Sequence, residues 1–194
     1  MNKFTNWENV KASTEKEILP KGGYVVKILD AKQVDYDWGS KLEVSVDIIE
    51  GEFKDFYAND YRAQQQEDKK WKGVLRQYIA KDDGSEKDEW TKSSFKAMTD
   101  SIEDSNSGYH WDWNEAQLKG KIVGCLFRLE EWDYDGKTGF ATHCFKFIPA
   151  ENIRNGKLKI PKDKFLAGNS TVSYSSGPDT GSIEDVPSDD TLPF

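Results

Sequence analysis

The chain has 194 residues, enough for one domain with appendages, and carries a formal charge of −8 with 36% hydrophobic and 13% aromatic residues. Two cysteines, Cys125 and Cys144, exclude a disulfide framework, and no apolar run is long enough to span a bilayer. The start, Met1-Asn2-Lys3-Phe4-Thr5-Asn6-Trp7, lacks the apolar stretch of a secretory leader, so the expectation is a cytoplasmic protein in a reducing compartment.

Residues 1–21 read as a polar N-terminal arm closed by Pro20 and Gly22-Gly23. Phe4, Trp7 and Val10 fall at helix-like spacing, which lets the arm fold back onto the body. A hairpin follows. Tyr24 to Val34 is rich in strand formers, and Leu42, Val44, Val46 and Ile48 alternate with Lys41, Glu43, Ser45 and Asp47. Between them, Asp35-Tyr36-Asp37-Trp38-Gly39-Ser40 is the expected turn, with Tyr36 and Trp38 at its tip, beyond easy reach of a core.

Phe53 to Arg62 reads as a third strand. From Gln64 to Leu118 a helical insert is expected. Trp71, Val74, Leu75, Tyr78 and Ile79 recur at helical spacing, and Phe95, Met98 and Ile102 mark a second amphipathic piece. The ring-rich segment Tyr109-His110-Trp111-Asp112-Trp113 is expected as a loop. A fourth strand runs from Lys121 to Trp132, Asp135-Gly136 centres a hairpin turn, and a fifth strand runs from Phe140 to Phe147. On the fifth strand simple alternation groups Ala141, His143, Phe145 and Phe147 opposite Thr142, Cys144 and Lys146. Asn155 to Pro161 reads as a small added hairpin.

Three strands, a helical insert and two strands match a mainly β fold: the five-stranded oligonucleotide-binding (OB) barrel, whose helix lies between strands three and four. A generic antiparallel α+β domain has the same order, but the length, the aromatic content and the tail described below favour the barrel. The expected domains are the arm (1–21), the OB-fold body (22–166, insert about 64–118) and a disordered acidic tail (167–194).

Residues 168–194 carry Asp179, Glu184, Asp185, Asp189 and Asp190 and no base. Subtracting these five from 35 acids leaves 30 against 27 bases, so the rest of the chain stands at −3. An anion-binding surface must therefore come from clustered cations rather than from bulk charge.

Such a cluster is expected at the hairpin tips. A sequence-tolerant single-strand binder needs flat rings to stack bases and cations to follow phosphates. The first loop offers Tyr36 and Trp38 with Lys32 and Lys41, and the third expected strand offers Tyr57, Tyr61 and Arg62. The last hairpin offers Trp132 and Tyr134 with Arg128, Lys137 and Lys146. Asp35, Asp37, Asp133 and Asp135 flank the same rings, to pair the lysines or to moderate affinity.

Catalysis finds little support. His110 and His143 are the only histidines, and His143 and Cys144 are adjacent on a strand and so face opposite ways. No metal-ligand spacing, glycine-rich phosphate loop, HExxH or GxSxG motif occurs, so no metal, cofactor or enzymatic activity is expected.

The tail is poor in large apolar residues until its last six, Asp189-Asp190-Thr191-Leu192-Pro193-Phe194. This ending resembles the C-terminal tip of bacterial and phage single-stranded DNA-binding proteins, with two Asp before the tip and Thr191 intervening. The body resembles the phage or mobile-element type of that family. The resemblance implies a protein of the bacterial cytoplasm or nucleoid, encoded by the bacterium or by a phage, that binds single-stranded DNA. It implies that Asp189, Asp190, Leu192, Pro193 and Phe194 recruit a replication, recombination or repair protein such as a recombinase, nuclease, helicase or primase. It leaves open whether the chain is a monomer, a dimer or a tetramer. Two other classes fit less: an acidic DNA mimic that binds a DNA-processing protein, and a carbohydrate-binding β domain.

Overall fold

A computed structural model describes residues 18–166 together with Thr5. Residues 1–4 and 6–17 of the N-terminal arm and the acidic tail, including Asp189, Asp190, Leu192, Pro193 and Phe194, lie outside the described residues.

Two long hairpins dominate. β1 (Gly22–Tyr36) turns through Asp37-Trp38 into β2 (Gly39–Ile48). β4 (Ile122–Tyr134) turns through Asp135-Gly136 into β5 (Lys137–Ile148). Asp135 and Gly136 have φ of 52° and 69°, the left-handed pair that a tight two-residue hairpin needs. Between the hairpins come α1 (Phe56–Ala63), β3 (Val74–Tyr78), α2 (Glu86–Ser105) and a 3₁₀ turn at Glu115–Leu118; α3 (Ala150–Arg154) follows β5. The strands form one antiparallel sheet in the order β3-β2-β1-β4-β5.

The alternation in β2 puts Leu42, Val44 and Val46 inward beside Val26 and Ile28 of β1 and Val123, Cys125 and Phe127 of β4. Met98 and Ile102 of α2 close this core from one side, and Tyr57 of α1 closes it from another. β2 thus keeps an inner apolar face and a more polar outer one, whereas β1 at Val25-Val26 and β4 at Cys125–Phe127 are buried on both faces. Two irregularities reset that alternation. The β1–β2 register shifts between Ile28 and Asp30, and the β4–β5 register shifts between Leu126 and Phe127.

The structure corrects four expectations. Phe53 to Arg62 is not a strand, because its second half is helix α1. The Asp47 carboxylate accepts the Tyr57 and Ala58 N–H groups at 3.0 and 3.1 Å and so anchors the start of that helix. The third strand is instead β3, inside the stretch expected to be helical. It pairs with β2 from Lys41↔Tyr78 to Ser45↔Val74. Residues 155–161 form no hairpin. The chain returns as an extended segment whose Lys164 bridges to Glu130 of β4, with backbone bonds to Leu129 and Glu131. On β5 the register shift overrides simple alternation: Cys144 pairs with Phe127 and Phe147 with Cys125, which puts Cys144 and Phe147 on the core side.

The sheet does not close through a backbone ladder among the described residues. Its edges, β3 and β5, nevertheless approach each other. No helix among the described residues is long and apolar enough to cross a membrane.

Candidate nucleic-acid interface

The outer face of the first hairpin gathers rings around one ammonium. In β1 the outward positions after the bulge include Lys32 and Tyr36; in β2 they include Lys41 and Glu43; in β3 they are Val74, Arg76 and Tyr78. Direct pairing of Lys41 with Tyr78, and of Glu43 with both Lys32 and Arg76, fixes these side chains to one surface. Tyr36 and Trp38 stack with ring centres 4.8 Å apart and an interplanar angle of 11°, and Trp38 leans on Tyr78 at 5.8 Å. Lys41 Nζ sits 4.8 Å from the Trp38 ring centre and 4.5 Å from that of Tyr78, a cation–π geometry. Trp38 is half exposed, and Tyr36 and Tyr78 are each 39% exposed, so these rings are open to a partner.

The acids of this loop are partly engaged. Asp35 accepts from Ser40 at 2.6 Å and from Gln33 at 2.8 Å, and these bonds hold its carboxyl below the usual carboxylate range. Glu43 accepts from Arg76 Nε at 3.1 Å. Asp35 is thus paired locally rather than with the lysines, and Lys41 is held by the rings.

The second hairpin continues the surface. Arg128, Glu130, Trp132 and Tyr134 of β4 face His143, Ala141, Gly139 and Lys137 of β5. Trp132 lies over Gly139, where a Cβ would meet the indole at 2.6 Å, so glycine makes room for the ring. Tyr134 at the tip is 79% exposed. Arg128 lies 4.3 Å from the Phe145 ring centre and pairs with Glu130 at 2.9 Å. Lys146 is exposed and opposite Leu126, on the same side as Arg128.

His143 marks where the two halves meet. Burial lowers its imidazole pKa; Arg76 from β3 and Arg128 from β4 push the same way, against Glu130. The approach of β3 to β5 therefore brings Arg76 of β3 and Arg128 of β4 into one electrostatic neighbourhood. Together these groups can stack planar rings and pair with anions.

Among the residues expected to bind, Tyr36, Trp38 and Lys41 share the first cluster, Lys32 lies on the same face opposite Glu43, and Arg128, Trp132, Tyr134, Lys137 and Lys146 share the second hairpin. Tyr61 and Arg62 sit on α1 rather than on a strand. Tyr61 is exposed, 5.8 Å from the Trp71 ring, while Arg62 donates to Asn59 at 2.9 Å. Tyr57 must be withdrawn as a stacking residue. It is 4% exposed and packs at 6.2 Å on Phe127, and burial pushes its phenol pKa up. A ring inside the core has no face to offer a base.

Arg76, Tyr78, His143 and Phe145 belong to the surface and were not anticipated. Arg76 and Tyr78 were hidden because Trp71, Leu75, Tyr78 and Ile79 fit a helix repeat as well as β3 fits alternation. Gly73, directly before β3, is the sequence signal against a helix. No protein-family model matches the chain, and no curated protein sequence matches it. Among the described residues no group of three or more His, Cys, Asp or Glu side chains is placed to hold a metal ion.

Proposed function

We propose that this chain binds single-stranded DNA without strong sequence preference. The observation that carries the reading is the Tyr36–Trp38–Tyr78 ring cluster around Lys41, continued by Arg76 toward His143 and Arg128. Exposed rings give every base a π-face to stack on, and interleaved cations track the backbone. The approach of β3 to β5 supports an OB-type barrel, in which the first and last hairpin loops flank the nucleic-acid groove. The tip at Asp189, Asp190, Leu192, Pro193 and Phe194 then recruits a replication, recombination or repair protein, as its resemblance implies. The setting is the bacterial cytoplasm.

The test is tryptophan fluorescence titration with oligo-dT at low and high salt, repeated with oligo-dT annealed to oligo-dA. Quenching by the single strand, weakened by salt and absent with duplex, is the expected result. No response at any salt would overturn the reading. It would favour the acidic-mimic alternative, which the carboxylates tying up Arg76 and Arg128 support.

A further inference from the structure

A second aromatic surface runs along α2. A groove of about 580 Å³ runs between Ile79-Ala80, the outer side of α2 and the loop carrying Trp111 and Trp113. That volume is in the range of ligand-binding clefts, about 300–1,000 Å³. Phe95 and Trp113 lie parallel at 6.2 Å, and Trp111 leans on Trp113 at 6.1 Å. Trp113 has a left-handed backbone (φ 64°) and is 79% exposed. An indole held outward in this way is a ring that the described core does not cover.

The rim says what can cover it. Lys92 is paired with Asp82, Asp88 and Glu89, and Lys96 with Asp100, while Glu103 accepts the backbone N–H of Trp111 at 2.8 Å. The groove lining thus sets three carboxylates, Asp82, Asp100 and Glu103, against two ammonium groups that are themselves paired with acids. A polyanionic strand is repelled here, and so is the chain's own tail, whose residues 168–194 hold five acids and no base. The rim suits an apolar segment with cations beside its rings.

The arm has that chemistry. Phe4, Trp7 and Val10 recur every three residues, and within residues 3–11 Lys3 and Lys11 stand against Glu8, while Glu15 and Glu17 with Lys16 lie nearer the body. Eleven residues lead from Trp7 to Ile18, a reach of roughly 36–40 Å at about 3.3–3.6 Å per residue. A domain of this size has a radius of gyration of about 15 Å, so the arm can reach across it. We propose that the α2 groove seats the chain's own N-terminal arm. Phe4 and Trp7 enter beside Trp113, and Lys3 and Lys11 lie against the carboxylates of Asp82, Asp100 and Glu103.

The experiment uses the full chain labelled with ¹⁵N and reads the indole N–H resonances, assigned by single Trp→Phe variants. In the double variant Phe4→Ala/Trp7→Ala the Trp111 and Trp113 resonances are expected to shift, while those of Trp38 and Trp132 stay in place and show that the body remains folded. Unmoved Trp111 and Trp113 resonances would overturn the proposal. So would a shift produced instead by deleting residues 168–194, which would make the tail the occupant. A shift produced by dilution alone would also overturn it, because the occupant would be a second copy.

Discussion

Aromatic residues of the same type do opposite work in this chain, and their surroundings decide which. Trp38 and Tyr78 hold their rings at the surface over Lys41, whereas Tyr57 is packed against Phe127 inside the core. If the hairpin face stacks bases, Trp38→Ala and Tyr78→Ala each remove one platform worth about 1–3 kcal/mol, or roughly 5- to 150-fold in affinity for oligo-dT. The urea midpoint should move little, because neither ring belongs to the core. Tyr57→Ala should behave in reverse. It empties a buried site and should lower stability by about 3–5 kcal/mol, with unchanged affinity in the folded fraction. Measuring both quantities on all three variants separates the roles. Loss of affinity at Tyr57 without loss of stability would contradict its placement.

At the scale of elements, the two hairpins were legible and the stretch between them was not. Alternation over Leu42–Ile48 and the Asp135-Gly136 turn are local signals, and each is enough to fix its neighbourhood. The second amphipathic piece was legible for the same reason, and it is α2. The identities of α1 and β3 depend instead on contacts distant in sequence. Asp47 of β2 supplies the carboxylate that α1 needs at its N-terminus, since the N-cap residue Asp55 makes no side-chain capping bond. Gly73 lets the chain pass close to β2, where a Cβ would meet the Val46 carbonyl oxygen at 2.5 Å. The candidate site followed the same division. Turn-tip rings could be read from sequence, but Tyr78 and Arg76 required the β2–β3 register. Asp47→Ala should therefore leave the Tyr57 and Ala58 N–H groups without their acceptor and cost about 1–3 kcal/mol. Asp47→Asn keeps one acceptor oxygen and should recover part of that loss in urea unfolding. Equal stability of Asp47→Ala and the parent would show that α1 does not depend on this carboxylate.

For the whole molecule, the net charge opposes a polyanion and only the local arrangement favours one, so solution conditions should tune binding strongly. His143 gives the sharpest case because β3, β4 and β5 meet around it. In the free protein, burial with Arg76 and Arg128 holds its pKa below the ordinary value of about 6.5, with Glu130 opposing. The unfolded chain therefore takes up a proton first as pH falls, and folding stability declines from about pH 6.5 downward. A phosphate bound beside Arg76 and Arg128 would supply negative charge and raise the imidazole pKa. Binding would then take up a proton, and affinity for oligo-dT should rise as pH falls from neutrality through that same range. Stability and affinity thus run in opposite directions across one pH window. His143→Gln should flatten both dependences while leaving the neutral-pH affinity near that of the parent. Affinity titrations at several pH values, paired with urea midpoints, read the two slopes. If His143→Gln flattens the stability slope but leaves the affinity slope intact, the imidazole is only a half-buried neighbour of the cations. The phosphate path must then run over Lys41 and Arg76 without reaching β5.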